Sequence, residues 1–286
     1  MTRGNVNLKR KEFLMQSYPR LNCYTRRILR GVLPLLNLFG FNPIILITNL
    51  RGIPFFIKDL IILKKKIKNN EKTFRITKLY PMLNDRFNDS GTASGHYFHQ
   101  DLIIARRIFL NNPARHVDIG SRVDGFVAHV ASYREIEVFD IRPFHNKIDN
   151  IKFIQANLTG DLNIIDYTDS ISSLHAIEHF GLGRYGDPID PYGHIRGLNN
   201  IYKLLKNGGK FYFSIPIGKQ RIEFNAHRVF SVEYILSLLG RAYKIDRFSY
   251  VNDKGDLFDG VPLMDKDIEL NYGCNYGCGI FEMTKI

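Results

Sequence analysis

His116-Val-Asp-Ile-Gly-Ser-Arg-Val-Asp-Gly-Phe126, followed by Ile136-Glu-Val-Phe-Asp140, is the stretch that decides the fold. A short apolar strand runs into Asp118. A turn carrying Gly120 and Gly125 follows, then a helix predicted over 125–132, then a second apolar strand that ends in Asp140. Glycine lets a backbone approach a ligand closely, and an acid closing the second strand can accept both hydroxyls of a ribose. The 22 residues from Asp118 to Asp140 are the length of one such strand–helix–strand unit. The turn lacks the third glycine of a pyrophosphate-binding fingerprint, so a ligand without phosphates fits it better.

The same alternation continues outward. Strands are predicted at 115–119, 135–140, 151–154, 170–175, 210–215, 243–249 and 278–284, and helices at 96–110, 125–132, 195–206 and 231–240. Alternating strands and helices predict an α/β, doubly wound, mostly parallel sheet of seven strands. The last strand, within Gly277-Cys-Gly-Ile-Phe-Glu-Met-Thr-Lys285, is expected to insert antiparallel beside its predecessor. Asn84 to Gly95 is rich in Asn, Asp, Ser and Gly and reads as a boundary loop, dividing a basic helical extension over 1–83 from a main domain over 95–286.

Charge separates the same two parts. Residues 1–80 hold 17 Lys and Arg against 3 Asp and Glu, whereas the other 206 hold 23 against 25. The surplus therefore lies outside the part with the chemistry. It suggests an anionic partner for the extension, either a phosphate-rich membrane or nucleic acid. Arg26, Arg27 and Arg30 cluster there. Residues 54–68 read as an amphipathic helix, with Phe56, Ile57, Leu60, Ile61, Leu63 and Ile67 on one face and Lys58, Lys64, Lys65 and Lys68 toward the other. Such a helix either packs on the main domain or lies on anionic lipid. The apolar run from Leu33 to Leu63 is too interrupted to span a bilayer and begins too late for a signal peptide. Three cysteines suit a reducing cytoplasm. Cys274 and Cys278 resemble half a zinc site, but with no further Cys or His near them in sequence no metal is expected.

The Asp118-Ile-Gly-Ser opening resembles the first motif of the class I S-adenosylmethionine-dependent methyltransferases. Phe153-Ile-Gln-Ala-Asn157-Leu158 matches the end of their third strand, with Asn157 where the family often carries an acid for the adenine amino group. Ser170 to Phe180 matches the fourth strand and its turn, including the Glu178-His179 pair. Leu204-Leu-Lys-Asn-Gly-Gly209 matches the turn before the fifth strand, with Asn207 replacing proline. The closest likeness is to a methyltransferase-like branch of unassigned substrate found among bacterial surface-polysaccharide genes. It is carried by Ser94-Gly-His-Tyr-Phe-His-Gln-Asp101, Asp140-Ile-Arg-Pro143, Glu178-His-Phe-Gly-Leu-Gly-Arg-Tyr-Gly-Asp187 and Asn225-Ala-His-Arg228.

That resemblance implies a Rossmann-like domain binding S-adenosyl-L-methionine. Asp118, Gly120, Ser121, Arg122 and Gly125 would lie along the cofactor turn, Asp140 and Ile141 at the ribose, Asn157 and Leu158 at the adenine, and His175 nearby. Arg122 and Asp124 depart from the family, which commonly has glycine there. The implied reaction is methyl transfer to oxygen of a small molecule, a sugar or a polysaccharide precursor, with His179 or His227 taking the acceptor's proton and Glu178 orienting a histidine or binding substrate. His96 to His99 could close over the cofactor. Two rivals remain: a non-catalytic scaffold in a glycan assembly complex, and a nucleic-acid methyltransferase. Nucleic acid is not expected as a partner, because the positive charge lies outside the catalytic part and no Asn/Asp-Pro-Pro-Tyr/Phe motif is present.

Overall fold

A computed structural model describes residue 36, residues 38–70 and residues 74–286. The Arg26, Arg27 and Arg30 cluster lies outside the described residues. The chain divides at Thr92/Ala93 into two compact units.

In the first unit, helix α1 spans Pro43–Asn70. Its start is written locally: Asn42 Oδ1 accepts from the main-chain N–H of Ile45 at 3.2 Å, and Pro43 fills the first helical position. The sequence reading began this helix at Pro54. The Asn42–Pro43 signal is the stronger one, and Pro54 sits inside the helix as an interior break in its hydrogen-bond ladder. Gly52 is buried on Leu83, whose carbonyl oxygen would lie 1.9 Å from any Cβ added there. Phe56, Leu60 and Ile67 continue that half-buried side, whereas Leu46, Leu50, Ile53, Ile57 and Ile61 form an exposed apolar stripe at helical spacing.

The second unit opens with α2 (His96–Asn111), which leads into β1 (His116–Ile119). A turn and the short α3 (Ala128–Ala131) lead to β2 (Ile136–Asp140), β3 (Ile151–Gln155) and β4 (Thr168–Leu174). Then come α4 (Gly193–Leu204), β5 (Leu205–Ile217), the hairpin of β6 (Arg221–Glu223) and β7 (His227–Val229), and α5 (Val232–Leu239). The chain closes with β8 (Tyr243–Val251), β9 (Leu257–Phe258), α6 (Asp265–Glu269) and β10 (Gly277–Lys285).

The main sheet has the order β3-β2-β1-β4-β5-β10-β8-β9. Its first five strands are parallel, and β10 runs antiparallel between β5 and β8. All seven expected strands are present. The two-residue β9 adds an eighth at the edge, which is too short to show as a periodic pattern. The 125–132 helix is interrupted at its start: Val123–Val127 form a wide turn around Gly125, whose φ of −125° and ψ of −118° are non-helical. In β5, the register jumps from Thr168–Leu205 to Ser170–Lys210, so residues 206–209 bulge out as the expected glycine turn, with Gly208 at φ 76°.

Side chains alternate across the sheet. Val117, Ile119, Phe139, Ile171, Phe211 and Phe213 point to the layer holding α4 and α5. Ile136, Val138, Tyr212 and Ile280 point to the layer of α2 and α3, where Ile104, Ile108 and Val130 meet them. Each fully buried Ile or Phe contributes about 1.5–3 kcal/mol by removal from water. Burial on both faces is why β1 and β2 read as continuous apolar runs.

Candidate functional site

The chain winds outward through β1, β2 and β3, then returns to place β4 on the other side of β1. Ligands of doubly wound sheets bind where the order reverses, beyond the carboxyl ends of these strands. The residues singled out from sequence cluster there in two groups.

The first group follows β1 and β2. Asp118 is fully buried, and its carboxylate accepts from Ser121 N and Ser121 Oγ, both at 2.9 Å, and from Ser172 Oγ at 2.6 Å. Burial raises its pKa to about 7 against the pull of those three donors. Ser172 spends its proton on Asp118, so it accepts from His116 Nε2 at 3.1 Å, and His116 Nδ1 in turn accepts from Ser170 Oγ at 2.8 Å. The turn after β1 is thus anchored from below. Gly120 adopts φ 77°, and a Cβ there would come 2.9 Å from that of Ala176, so only glycine fits.

A cavity of about 780 Å³ opens beside this turn, walled by Ser121, Arg122, Asp124, Asp140, Arg142 and Phe144 among others. Arg122 and Asp124 pair with each other, Nε to Oδ1 at 2.9 Å, so the two departures from glycine neutralise one another. Asp140 does not stand free. Its Oδ1 accepts from Arg142 N at 2.8 Å and Arg142 Nε at 3.0 Å, and its Oδ2 is bonded by Arg142 Nη2. The Arg142 guanidinium also lies 4.6 Å from the ring centre of Tyr185. Asn157 uses its carbonyl oxygen on Thr159 N and Thr159 Oγ1, at 2.9 and 2.7 Å, so the acceptor expected to face an adenine is engaged in its own turn. Leu158 is buried in the core, and Ile141 accepts from Gln155 Nε2 through its carbonyl. Asn157, Leu158 and Ile141 do not line the cavity.

The second group follows β4. His175 takes φ 51°, unusual for a non-glycine residue, and its N–H donates to Ser214 O at 3.1 Å. Its ring Nδ1 lies 2.8 Å from Glu178 Oε1. Glu178 therefore orients His175. It stands 3.8 Å from His179 Nε2, beyond hydrogen-bonding reach. Burial raises the Glu178 pKa and lowers that of His175 to about 3. His179 donates from Nδ1 to Ala226 O at 2.7 Å, which leaves Nε2 as the basic nitrogen. Burial lowers its pKa, so the ring is neutral at pH 7.

His227 sits at the first position of β7, its ring 6.4 Å from that of His179. His227 Nε2 is 3.4 Å from Glu223 Oε2 but makes no well-aligned hydrogen bond. Among the described residues, three of the five buried side-chain atoms without a partner lie in this one group: His175 Nε2, Glu178 Oε2 and His227 Nε2. Buried orphan atoms gathered at one place mark where a polar ligand belongs.

The loop after β4 joins the two groups. Tyr185 packs edge-on against His179 at 5.4 Å and under Arg142. Buried Arg228 fastens this loop from β7 by donating to Phe180 O at 2.6 Å and, more loosely, to the carbonyls of Glu178, Asp190 and Pro191. Gly181, at φ 77°, passes so close to Asp190 O that a Cβ would lie 2.0 Å from it. The sequence marks Tyr185 and Arg228 only as members of the motifs Glu178–Asp187 and Asn225–Arg228; that Tyr185 packs on His179 and that Arg228 fastens the loop shows only in the fold.

His96 arrives from the start of α2, its ring parallel to that of His175 with centroids 5.1 Å apart. Cys278 enters from β10, whereas Cys274 turns its thiol toward Tyr272 O at 3.7 Å. The two cysteines paired in the sequence reading therefore serve different places.

These features define a doubly wound α/β protein with polar side chains gathered beyond the carboxyl ends of β1, β2 and β4 and a cavity beside the turn after β1. The chain belongs to the family described as Caenorhabditis protein of unknown function, DUF268, whose model matches residues 123–270, just over half of the chain. No curated protein matches the sequence. Among solved structures, it is similar to the 1,6-didemethyltoxoflavin-N1-methyltransferase of Burkholderia thailandensis with bound 1,6-didemethyltoxoflavin and S-adenosylhomocysteine. That likeness has 14% identity, 67% of this chain and 79% of that chain covered, and a TM-score of 0.49. It is also similar to the N-methyltransferase NodS of Bradyrhizobium japonicum in complex with S-adenosylhomocysteine, at 13% identity, 71% and 91% coverage and a TM-score of 0.44. A TehB-like methyltransferase of Corynebacterium glutamicum shows 15% identity, 64% and 86% coverage and a TM-score of 0.43.

Proposed function

We propose that this protein is a cytoplasmic S-adenosylmethionine-dependent methyltransferase acting on a hydroxyl of a small molecule, with a sugar or polysaccharide precursor as the acceptor. The observation that carries this reading is the convergence of the glycine turn after β1, the acid closing β2 and the neutral histidine His179 at one switch point. In the proposed reaction the acceptor oxygen attacks the sulfonium methyl in line. The C–S bond breaks as the O–C bond forms, the sulfur leaves neutral, and the acceptor's proton passes to His179 Nε2. The cofactor supplies the activated methyl. The protein's own contribution is alignment, with Arg228 holding the loop that carries His179 and Tyr185.

The Asp140–Arg142 pair supports a second reading, a non-catalytic scaffold whose ribose acceptor has been taken by its own arginine. Calorimetry with S-adenosylhomocysteine separates the two. Saturable binding supports the enzyme, and no heat at millimolar ligand supports the scaffold. Transfer of a tritiated methyl group from S-adenosylmethionine onto a panel of sugars and lipid-linked precursors then tests the acceptor class.

A further inference from the structure

We propose that His96, His175 and Cys278 bind a zinc-class divalent cation through a ring nitrogen of His96, Nε2 of His175 and Sγ of Cys278. The three come from separate elements: the first residue of α2, the exit of β4 and the second residue of β10. Their ligand atoms lie within 4.8 Å of one another, and all three residues are buried. Zinc bonds nitrogen at about 2.0–2.1 Å and sulfur at about 2.3 Å, and the centre of such a triangle is at most about 2.8 Å from each corner. Each ligand then moves inward by roughly 0.5–0.8 Å. One imidazole also tilts out of the parallel arrangement so that both lone pairs converge.

Three further observations support a cation over mere packing. His175 Nε2 is buried with no hydrogen-bond partner. With Nδ1–H donating to Glu178 at 2.8 Å, Nε2 is a bare lone pair on one of the three ligand atoms that lie together. Glu178 then plays the carboxylate that orients a metal-bound histidine. The charges also balance: one divalent cation, one thiolate and the Glu178 carboxylate sum to zero, so the buried set carries no net charge. Imidazole and thiolate together favour zinc over magnesium or calcium. Three protein ligands leave a fourth position for water or a ligand oxygen, as in catalytic zinc sites.

This proposal stands independently of methyl transfer, because it is tested without cofactor or acceptor. The full-length chain, loaded with zinc and dialysed, should retain about one zinc per chain. Replacement by cobalt should give a thiolate-to-cobalt charge-transfer band with four-coordinate ligand-field absorption. Cys278→Ser should lose the charge-transfer band, and His175→Ala should lose stoichiometric zinc, while Cys274→Ser should keep both. Glu178→Gln should weaken zinc about 10–100-fold in competition with a chelating indicator. A wild-type chain that holds no zinc and shows no cobalt–thiolate band overturns the proposal whatever the variants do. So does Cys278→Ser that keeps the band.

Discussion

Arg142 holds Asp140 by three donors, its main-chain N–H, Nε and Nη2, so the acid at the end of β2 meets any ribose already paired. A cofactor that takes this carboxylate must displace the guanidinium, which then keeps only its stacking on Tyr185. Charge-assisted bonds contribute about 1.5–3 kcal/mol each, so the exchange decides affinity. Asp140→Ala should weaken S-adenosylhomocysteine binding more than about tenfold, while Arg142→Ala should strengthen it several-fold by removing the competitor. Isothermal titration of both variants checks this. Wild-type affinity in a folded Asp140→Ala protein would remove Asp140 from the ribose site.

Proton transfer is expected at His179. Its Nδ1 is fixed on Ala226 O, its Nε2 is free, and its ring is neutral at pH 7. His179→Ala should lower turnover of an identified acceptor by about 10²–10⁴ and leave cofactor affinity nearly unchanged. The same loss in His227→Ala, with His179→Ala unaffected, would move the base to His227, whose Nε2 is buried without a partner.

Most of the sheet was legible because parallel strands buried on both faces leave continuous apolar runs, and because Gly120 and Gly208 mark real positive-φ turns. What the sequence could not show is what crosses between segments. Glu178 adjoins His179 in the chain yet bonds His175, because the single helical turn over Ile177–His179 points their side chains apart. Asn157 reads as an outward acceptor, but a short polar side chain before a turn bonds its own backbone first. His96 and Cys278 are 182 residues apart, and only the insertion of β10 beside β5 brings them together. The hairpin of β6 and β7 has strands of three residues, too short for a period-2 signal.

Acid should destabilise the fold partly through His116. This ring is fully buried between Ser170 and Ser172, and burial lowers its pKa from 6.5 to about 3. Between those values the unfolded chain binds a proton that the folded chain does not. The stabilisation is therefore fully present above pH 6.5 and is lost as pH falls toward 3. Over the fall from pH 7 to 5 this amounts to about 2 kcal/mol. His116→Gln should lower stability at pH 7 but lose about 2 kcal/mol less than wild type over that interval. Urea unfolding at the two pH values measures it, and equal losses in both proteins would refute the assignment.

The basic extension is expected to dock the protein on an anionic membrane. Its 17 Lys and Arg against 3 acids accompany the exposed stripe of Leu46, Leu50, Ile53, Ile57 and Ile61 on α1. Among the described residues no helix is long and apolar enough to cross a bilayer, so the stripe would lie along the surface. Each basic residue near an acidic bilayer adds about 1 kcal/mol, and burial of the stripe adds an apolar contribution. The full chain should sediment with vesicles containing phosphatidylserine but not with neutral ones, and salt should weaken the binding. Ile57→Glu with Ile61→Glu should abolish it while leaving zinc and cofactor binding intact. Sedimentation that is equal with neutral and acidic vesicles, or absent with both, would assign the surplus charge to another role.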